Sequence, residues 1–173
     1  MGKKVAVVLT DLFEDVEYTD PAKALKEAGH ELTVIENKKG NVVTGKNGEA
    51  KITVDASIDE VKHEDFDALM IPGGFSPDIL RADDRFVEFS KAFMDAKKPV
   101  LTICHGPQLL ITAKTLNGRK ATGYKSIHVD LINAGVDFVD EEVVNCDDQL
   151  VTSRTPDDIP AFIRESLSVL EKA

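Results

Sequence analysis

Four short apolar runs set the architecture. VAVVLT (5–10), ELTVI (31–35), ALMI (68–71) and VLTI (100–103) are nearly free of charge, and runs of this length read as strands buried in a parallel sheet. Between them the apolar spacing switches to the helical period. Phe86, Phe89, Phe93 and Met94 place a helix over about 84–96. Pro21 to Ala28, closed by Gly29, places another ahead of the second strand, with 11–17 left as a loop. Residues 38–54 hold Gly40, Gly45 and Gly48 between short β-branched runs, the pattern of a small hairpin excursion. The later chain predicts an apolar helix through Gln108–Ala113, a short strand near 121–123 and a helix over about 127–134. Strands near Val143 and Val151 and a last helix over about 160–170 complete it. Strands alternating with helices predict an α/β fold: a flavodoxin-like, doubly wound sandwich with a mostly parallel central sheet and helices on both faces. No linker, repeat or low-complexity segment divides it, so 1–173 reads as one domain.

Composition narrows the function classes. The formal net charge is −10 and Lys and Arg are scattered among carboxylates; without a basic stripe, nucleic acid is not an expected partner. Every apolar run is interrupted well short of a membrane-spanning length, and the N-terminus lacks a small-residue cleavage pattern. The two cysteines, Cys104 and Cys146, lie in unlike settings, which argues against a disulfide framework and for a cytoplasmic address. The four histidines lack ligand spacing, so neither a metal nor another cofactor is expected.

The chemistry concentrates in PVLTICHGPQLL (99–110). Cys104 falls between a buried strand and an apolar helix, at the sheet edge where open α/β folds bind ligands. A residue forced into such a corner projects its side chain outward, the logic of a nucleophile elbow. Helix-start amides there are expected to lower the thiol pKa. Gly106 lets the backbone pass closely. Two further loops leave buried strands at the same edge. One carries Glu14, Asp15 and Glu17; the other carries Gly73, Gly74 and Asp78. A glycine pair after a strand can aim an amide at developing negative charge, with the His105 amide as a second donor. A direct thiol–imidazole contact within one elbow is expected to be strained, and Asp78, in this chain or a neighbouring one, is the candidate to hold His105. Glu17, if it faces Cys104, makes a pair of acids for which one proton is cheaper to keep than two charges. His30 and His63 read as solvated, Cys146 as a hairpin-turn thiol dulled by flanking carboxylates, and Arg154 as structural.

At these residues the sequence resembles the PfpI intracellular-protease or DJ-one superfamily, closest to its bacterial general stress protein branch. The resemblance runs through FEDVEYTDP, FDALMIPGGFSPD, ICHGPQLL, GRKATGY and VTSRTPDD, nearly the whole chain. It implies Cys104 as nucleophile, Glu17 as the carboxylic acid bonded to its sulfur, Gly74 as the oxyanion-loop glycine and His105 as the adjacent histidine. Asp78 falls where relatives place a carboxylate that reaches the histidine across a subunit contact, and Tyr124 matches a site tyrosine of the protease-like branch. It further implies a homodimer or higher homo-oligomer, and substrates that are small carbonyl compounds, modified proteins or peptides. The activities implied are glyoxalase, deglycase or peptidase, against the alternative of a thiol oxidant sensor or holdase. Related glutamine amidotransferases need a glycine where this chain has Thr102 and a histidine beyond His128, so that branch is excluded.

Overall fold

The computed structural model describes residues 2–173. Its first half runs β1 (Lys4–Val8), α1 (Asp15–Glu27), β2 (Glu31–Glu36), β3 (Val42–Thr44), β4 (Lys51–Thr53), β5 (Ala56–Ser57) and β6 (Ala68–Ile71). Then come α2 (Ser76–Leu80), α3 (Asp84–Asp95), β7 (Val100–Ile103), α4 (Pro107–Thr112), β8 (Lys120–Ala121) and α5 (His128–Asn133). The chain ends with β9 (Asp137–Phe138), β10 (Val144–Cys146), β11 (Leu150–Ser153) and α6 (Ile159–Lys172). Seven strands form the central sheet in the order β10-β11-β7-β6-β1-β2-β5, and only the β10–β11 pair is antiparallel. The expected doubly wound α/β sandwich is the observed fold.

The central strands are apolar on both faces because both faces are covered. Val5 and Val7 point with Ala68, Met70, Leu101 and Ile103 toward the layer of α1 and α6. Ala6 and Val8 point with Leu69 and Ile71 toward Phe86, Phe93, Leu109 and Leu110 of α3 and α4. Each fully buried Val, Leu or Ile contributes about 1.5–3 kcal/mol, so strict alternation between two cores fixes the strand register. That register pairs Val5 with Ala68 and Leu69 with Val100, which brings the carboxyl ends of β1, β6 and β7 to one edge.

Three elements differ from the sequence expectation. The first helix begins at Asp15, six residues before Pro21, which therefore lies inside it. Proline is favoured at a helix start, and here that signal misplaces the boundary; buried Asp15, Glu17 and Tyr18 already belong to the helix. Residues expected as loop around 72–78 include α2, with Asp78 on it. The strand near 121–123 is Lys120–Ala121 and pairs in parallel with β9, outside the main sheet.

Candidate active site

Cys104 occupies a left-handed backbone conformation, φ 62°, at the break between β7 and α4. Such a conformation costs an L-residue about 1–2 kcal/mol, and the surroundings hold it in place. The Cys104 amide donates to the Ser153 carbonyl at 3.0 Å, and its carbonyl accepts from the Tyr124 amide at 2.9 Å. At Gly106 a β-carbon would meet Thr102 Oγ1 and the Ile71 carbonyl, so only glycine lets the helix begin this close to the sheet.

The other two loops converge on this corner as the topology requires. Phe13 and Gly74 form an antiparallel bridge, the Glu14 amide donates to the Gly73 carbonyl at 3.1 Å, and the Phe75 amide donates to the Leu12 carbonyl at 2.8 Å. Glu17, expected just ahead of a helix, sits in the first turn of α1 and is wholly buried. Its Oε1 accepts from the Gly73 amide at 3.0 Å. Its Oε2 is buried with no hydrogen-bond partner, although the carboxyl lies against the Cys104 thiol. Burial disfavours a charge on that oxygen, and a carboxylic acid there can donate its proton to sulfur. Gly73 is confined by both groups, since a β-carbon there would crowd Glu17 Oε1 and come within 2.8 Å of Cys104 Cβ.

Electrostatics reverse one expectation. Burial, and then the charge of Glu14, push the Glu17 carboxyl up to about 8. Burial, and then the charge of Glu17, push the Cys104 thiol up to about 12, against the opposing effect of the Gly74 and His105 amides. The amides foreseen at the elbow are present, but the desolvation of Cys104, a residue only 6% exposed, outweighs them. At neutral pH Glu17 keeps its proton and the thiol needs a base.

His105 is placed to act as one. Its Nδ1 lies 3.3 Å from Cys104 Sγ, a direct contact between neighbouring residues that the sequence reading takes to be strained. The Nε2 lies 3.1 Å from Ser126 Oγ, and the ring stacks on Tyr124 with centroids 4.8 Å apart. Burial, and then the charge of Lys46, hold the imidazole below its ordinary pKa, so it is neutral at pH 7. With its proton on Nε2 facing Ser126, Nδ1 is free to accept from the thiol.

A cavity of about 480 Å³ opens over these groups, with Gly74, Phe75, Cys104, His105, Gln108 and Tyr124 in its walls. Lys46 and Glu14 close one side. Asp78 also reaches the cavity, but it is exposed and His105 Nε2 bonds Ser126 instead. Within one chain, then, Cys104, His105, Glu17, Gly73, Gly74 and Tyr124 come together, and Asp78 stands at the rim. Ser126 and Lys46 escaped the sequence reading. Lys46 follows a glycine in a hairpin (TGKNG), and only the packing of that hairpin on Asp15 brings it near Cys104.

The remaining polar residues fall outside this group. Arg154 is tied to Asp158 at 2.9 and 3.1 Å and to Asp140 at 3.0 Å, the structural role expected of it. Cys146 ends β10 rather than forming the turn, which belongs to Asp147 and Asp148, and its sulfur accepts from Arg119 Nε at 3.3 Å. His30 and His63 are half-buried, and His30 Nδ1 accepts from the Lys3 amide. Among the described residues no group of three or more His, Cys, Asp or Glu could hold a metal ion, and no helix is long and apolar enough to cross a membrane.

Against known proteins, the sequence profile of the DJ-1/PfpI family matches residues 3–169. The chain belongs to the DJ-1/PfpI family. It is 76% identical over 172 residues to General stress protein 18 of Bacillus subtilis, covering 99% of this chain and 100% of that protein. It is 58% identical over 170 residues to Protein/nucleic acid deglycase 2 of Escherichia coli, covering 98% and 99%. Among solved structures, a two-domain protein of Anabaena variabilis with DJ-1/ThiJ/PfpI-like and ferritin-like domains superposes with a TM-score of 0.94 at 39% identity. The superposition covers 98% of this DJ-1/PfpI chain and 48% of that longer one.

Proposed function

We propose that the protein is a cysteine-dependent enzyme acting on reactive carbonyls, such as 2-oxoaldehydes, or on their adducts with other molecules. The observation that carries this reading is the approach of His105 Nδ1 to within 3.3 Å of Cys104 Sγ, with Glu17 against the same sulfur. Neutral His105 takes the thiol proton as Sγ adds to the carbonyl carbon, so the base and nucleophile work as one unit. The Gly74 and His105 amides that face the sulfur lie next to the oxyanion so formed, and Glu17 holds its proton toward Sγ. The imidazolium then protonates the oxyanion, giving a hemithioacetal. For a 2-oxoaldehyde, proton transfer from the first carbon to the second converts this adduct to a thioester, and water releases a 2-hydroxy acid and the thiol. No external oxidant or reductant is needed.

A cavity of about 480 Å³ suits a small carbonyl or a single modified group better than an extended peptide. The E. coli relative is named for both protein and nucleic acid targets. The −10 charge argues against a phosphate-tracking surface, but it does not bear on an adduct carried by a single base. Cytoplasmic residence fits two free thiols. The test is turnover of methylglyoxal and of glycated thiols by wild type, Cys104→Ala and His105→Ala. Loss of at least a hundredfold in each variant is expected. Absence of turnover in wild type, with peroxide adding oxygen mass at Cys104, overturns the reading in favour of an oxidant sensor.

A further inference from the structure

The cavity over Cys104 carries a cation that the reaction above does not use. Lys46 Nζ lies 2.6 Å from Glu14 Oε2, and both side chains line the cavity wall. The backbone beneath Lys46 is fixed from several directions. Its own amide donates to the Phe13 carbonyl at 2.9 Å. The Asp15 carboxylate accepts from the amides of Asn47, Glu49 and Ala50 at 2.9, 3.1 and 2.8 Å. Gly45 packs so closely on that carboxylate that a β-carbon would collide with it. A mobile ammonium is thus mounted on a rigid hairpin tip beside the nucleophile.

Its present partner leaves it accessible. The Lys46 side chain is 46% exposed against 13% for Glu14, so the ammonium is the solvent-facing member of the pair. A ligand carboxylate entering the cavity can share that ammonium with Glu14, whose Oε1 also accepts from Asn47 Nδ2 at 3.1 Å. The ammonium also acts on the reacting groups: its charge is among the influences that lower Glu17 and His105. Of the residues that line the cavity, Lys46 alone carries a permanent positive charge, while Glu14 and Asp78 are the acids there.

We propose that Lys46 forms an anion subsite beside Cys104, so that the cavity favours carbonyl compounds bearing a carboxylate next to the reacting carbon. This deepens the function proposed above and rests on Cys104 being the nucleophile, but it can be tested without turnover.

The probes are iodoacetate and iodoacetamide, which differ by one negative charge next to the carbon attacked. With either, the Cys104 sulfur–carbon bond forms as iodide leaves, so the ionisation of the thiol cancels from the ratio of the two rates. Lys46→Gln is expected to lower the iodoacetate-to-iodoacetamide ratio about fivefold, the size of one short-range charge contact in water. Lys46→Arg keeps the ratio, and Glu14→Gln raises it by freeing the ammonium. Lys23→Gln, the same change in net charge on an exposed part of α1, leaves it unchanged. An unaltered ratio in Lys46→Gln, or an equal fall in Lys23→Gln, overturns the subsite. In parallel, glyoxylate, which can add to the thiol but has no ketone to accept the migrating proton, inhibits methylglyoxal turnover, and its inhibition weakens by a similar factor in Lys46→Gln. Alkylation ratios as expected with methylglyoxal not turned over uphold the subsite and sink the enzymatic reading. Turnover of methylglyoxal with the ratios unmoved does the reverse.

Discussion

Glu17 and Cys104 are two acids in contact, buried where neither is easily charged. Their protons are shed stepwise, the first near 8 and the second near 12, and the steps belong to the pair. Cys104 alkylation is therefore expected to rise toward pH 8, level off while the pair keeps one proton, and rise again toward 12, whereas an inflection under 7 would contradict the burial argument. Glu17→Gln keeps an acceptor for the Gly73 amide and removes the charge that raises the thiol, so the profile becomes a single inflection below 12. Stability follows the same groups. The folded pKa of Glu17 is raised, so its contribution is fully present below the unfolded value near 4.5 and is lost as pH rises through about 8. Glu17→Gln escapes that loss, and denaturant titration at pH 9 should find it more stable than wild type by about 2–4 kcal/mol. The gap should close toward pH 4.

At the scale of elements, one side chain gathers three amides at the tip of the β3–β4 hairpin. Burial acts to raise the Asp15 carboxyl, but the amides of Asn47, Ala50 and Glu49 outweigh it and hold the pKa below the ordinary value. That contribution is present above the unfolded pKa near 3.8 and fades as pH falls through the lowered folded one. Asp15→Ala orphans those amides and is expected to cost about 1–3 kcal/mol in chemical denaturation, with faster amide exchange over 45–50. The buried strands and the amphipathic α3 were legible because their patterns answer to local periodicity. So was the corner at Cys104, since a strand, a cysteine and a glycine-led helix follow each other directly. The start of α1 was obscured by Pro21, whose usual place at a first turn outweighed the weaker cues of Asp15 and Glu17. Lys46 was invisible for a different reason: 58 residues separate it from Cys104, and no local pattern announces a hairpin folding back onto a helix start.

At the scale of the whole molecule, exposed apolar side chains gather around Phe75, at the wall of the cavity. Leu12, Phe75 and Ile79 are 46%, 56% and 41% exposed and are linked through backbone bonds from Phe75 to Leu12 and from Ile79 to Phe75. Exposed apolar groups gathered this way mark association surfaces, and Asp78 stands among them without a hydrogen bond to His105. We expect a homo-oligomer, with light scattering giving a multiple of the 18.9 kDa chain mass and Phe75→Ser shifting it toward one chain. A single-chain mass for wild type at micromolar concentration would defeat that expectation.

The way the sheet stops at its two flanks constrains any such assembly. One flank is β5, two residues long, and the other is β10, three residues long and bent into a left-handed turn at Asp147 and Asp148. Stubs of this length offer an incoming backbone too few unpaired amides and carbonyls to template another strand. Any contact between copies of this chain is therefore expected to run through side chains rather than by lengthening one another's ladders, a safeguard against fibre growth for a protein whose central strands are apolar on both faces.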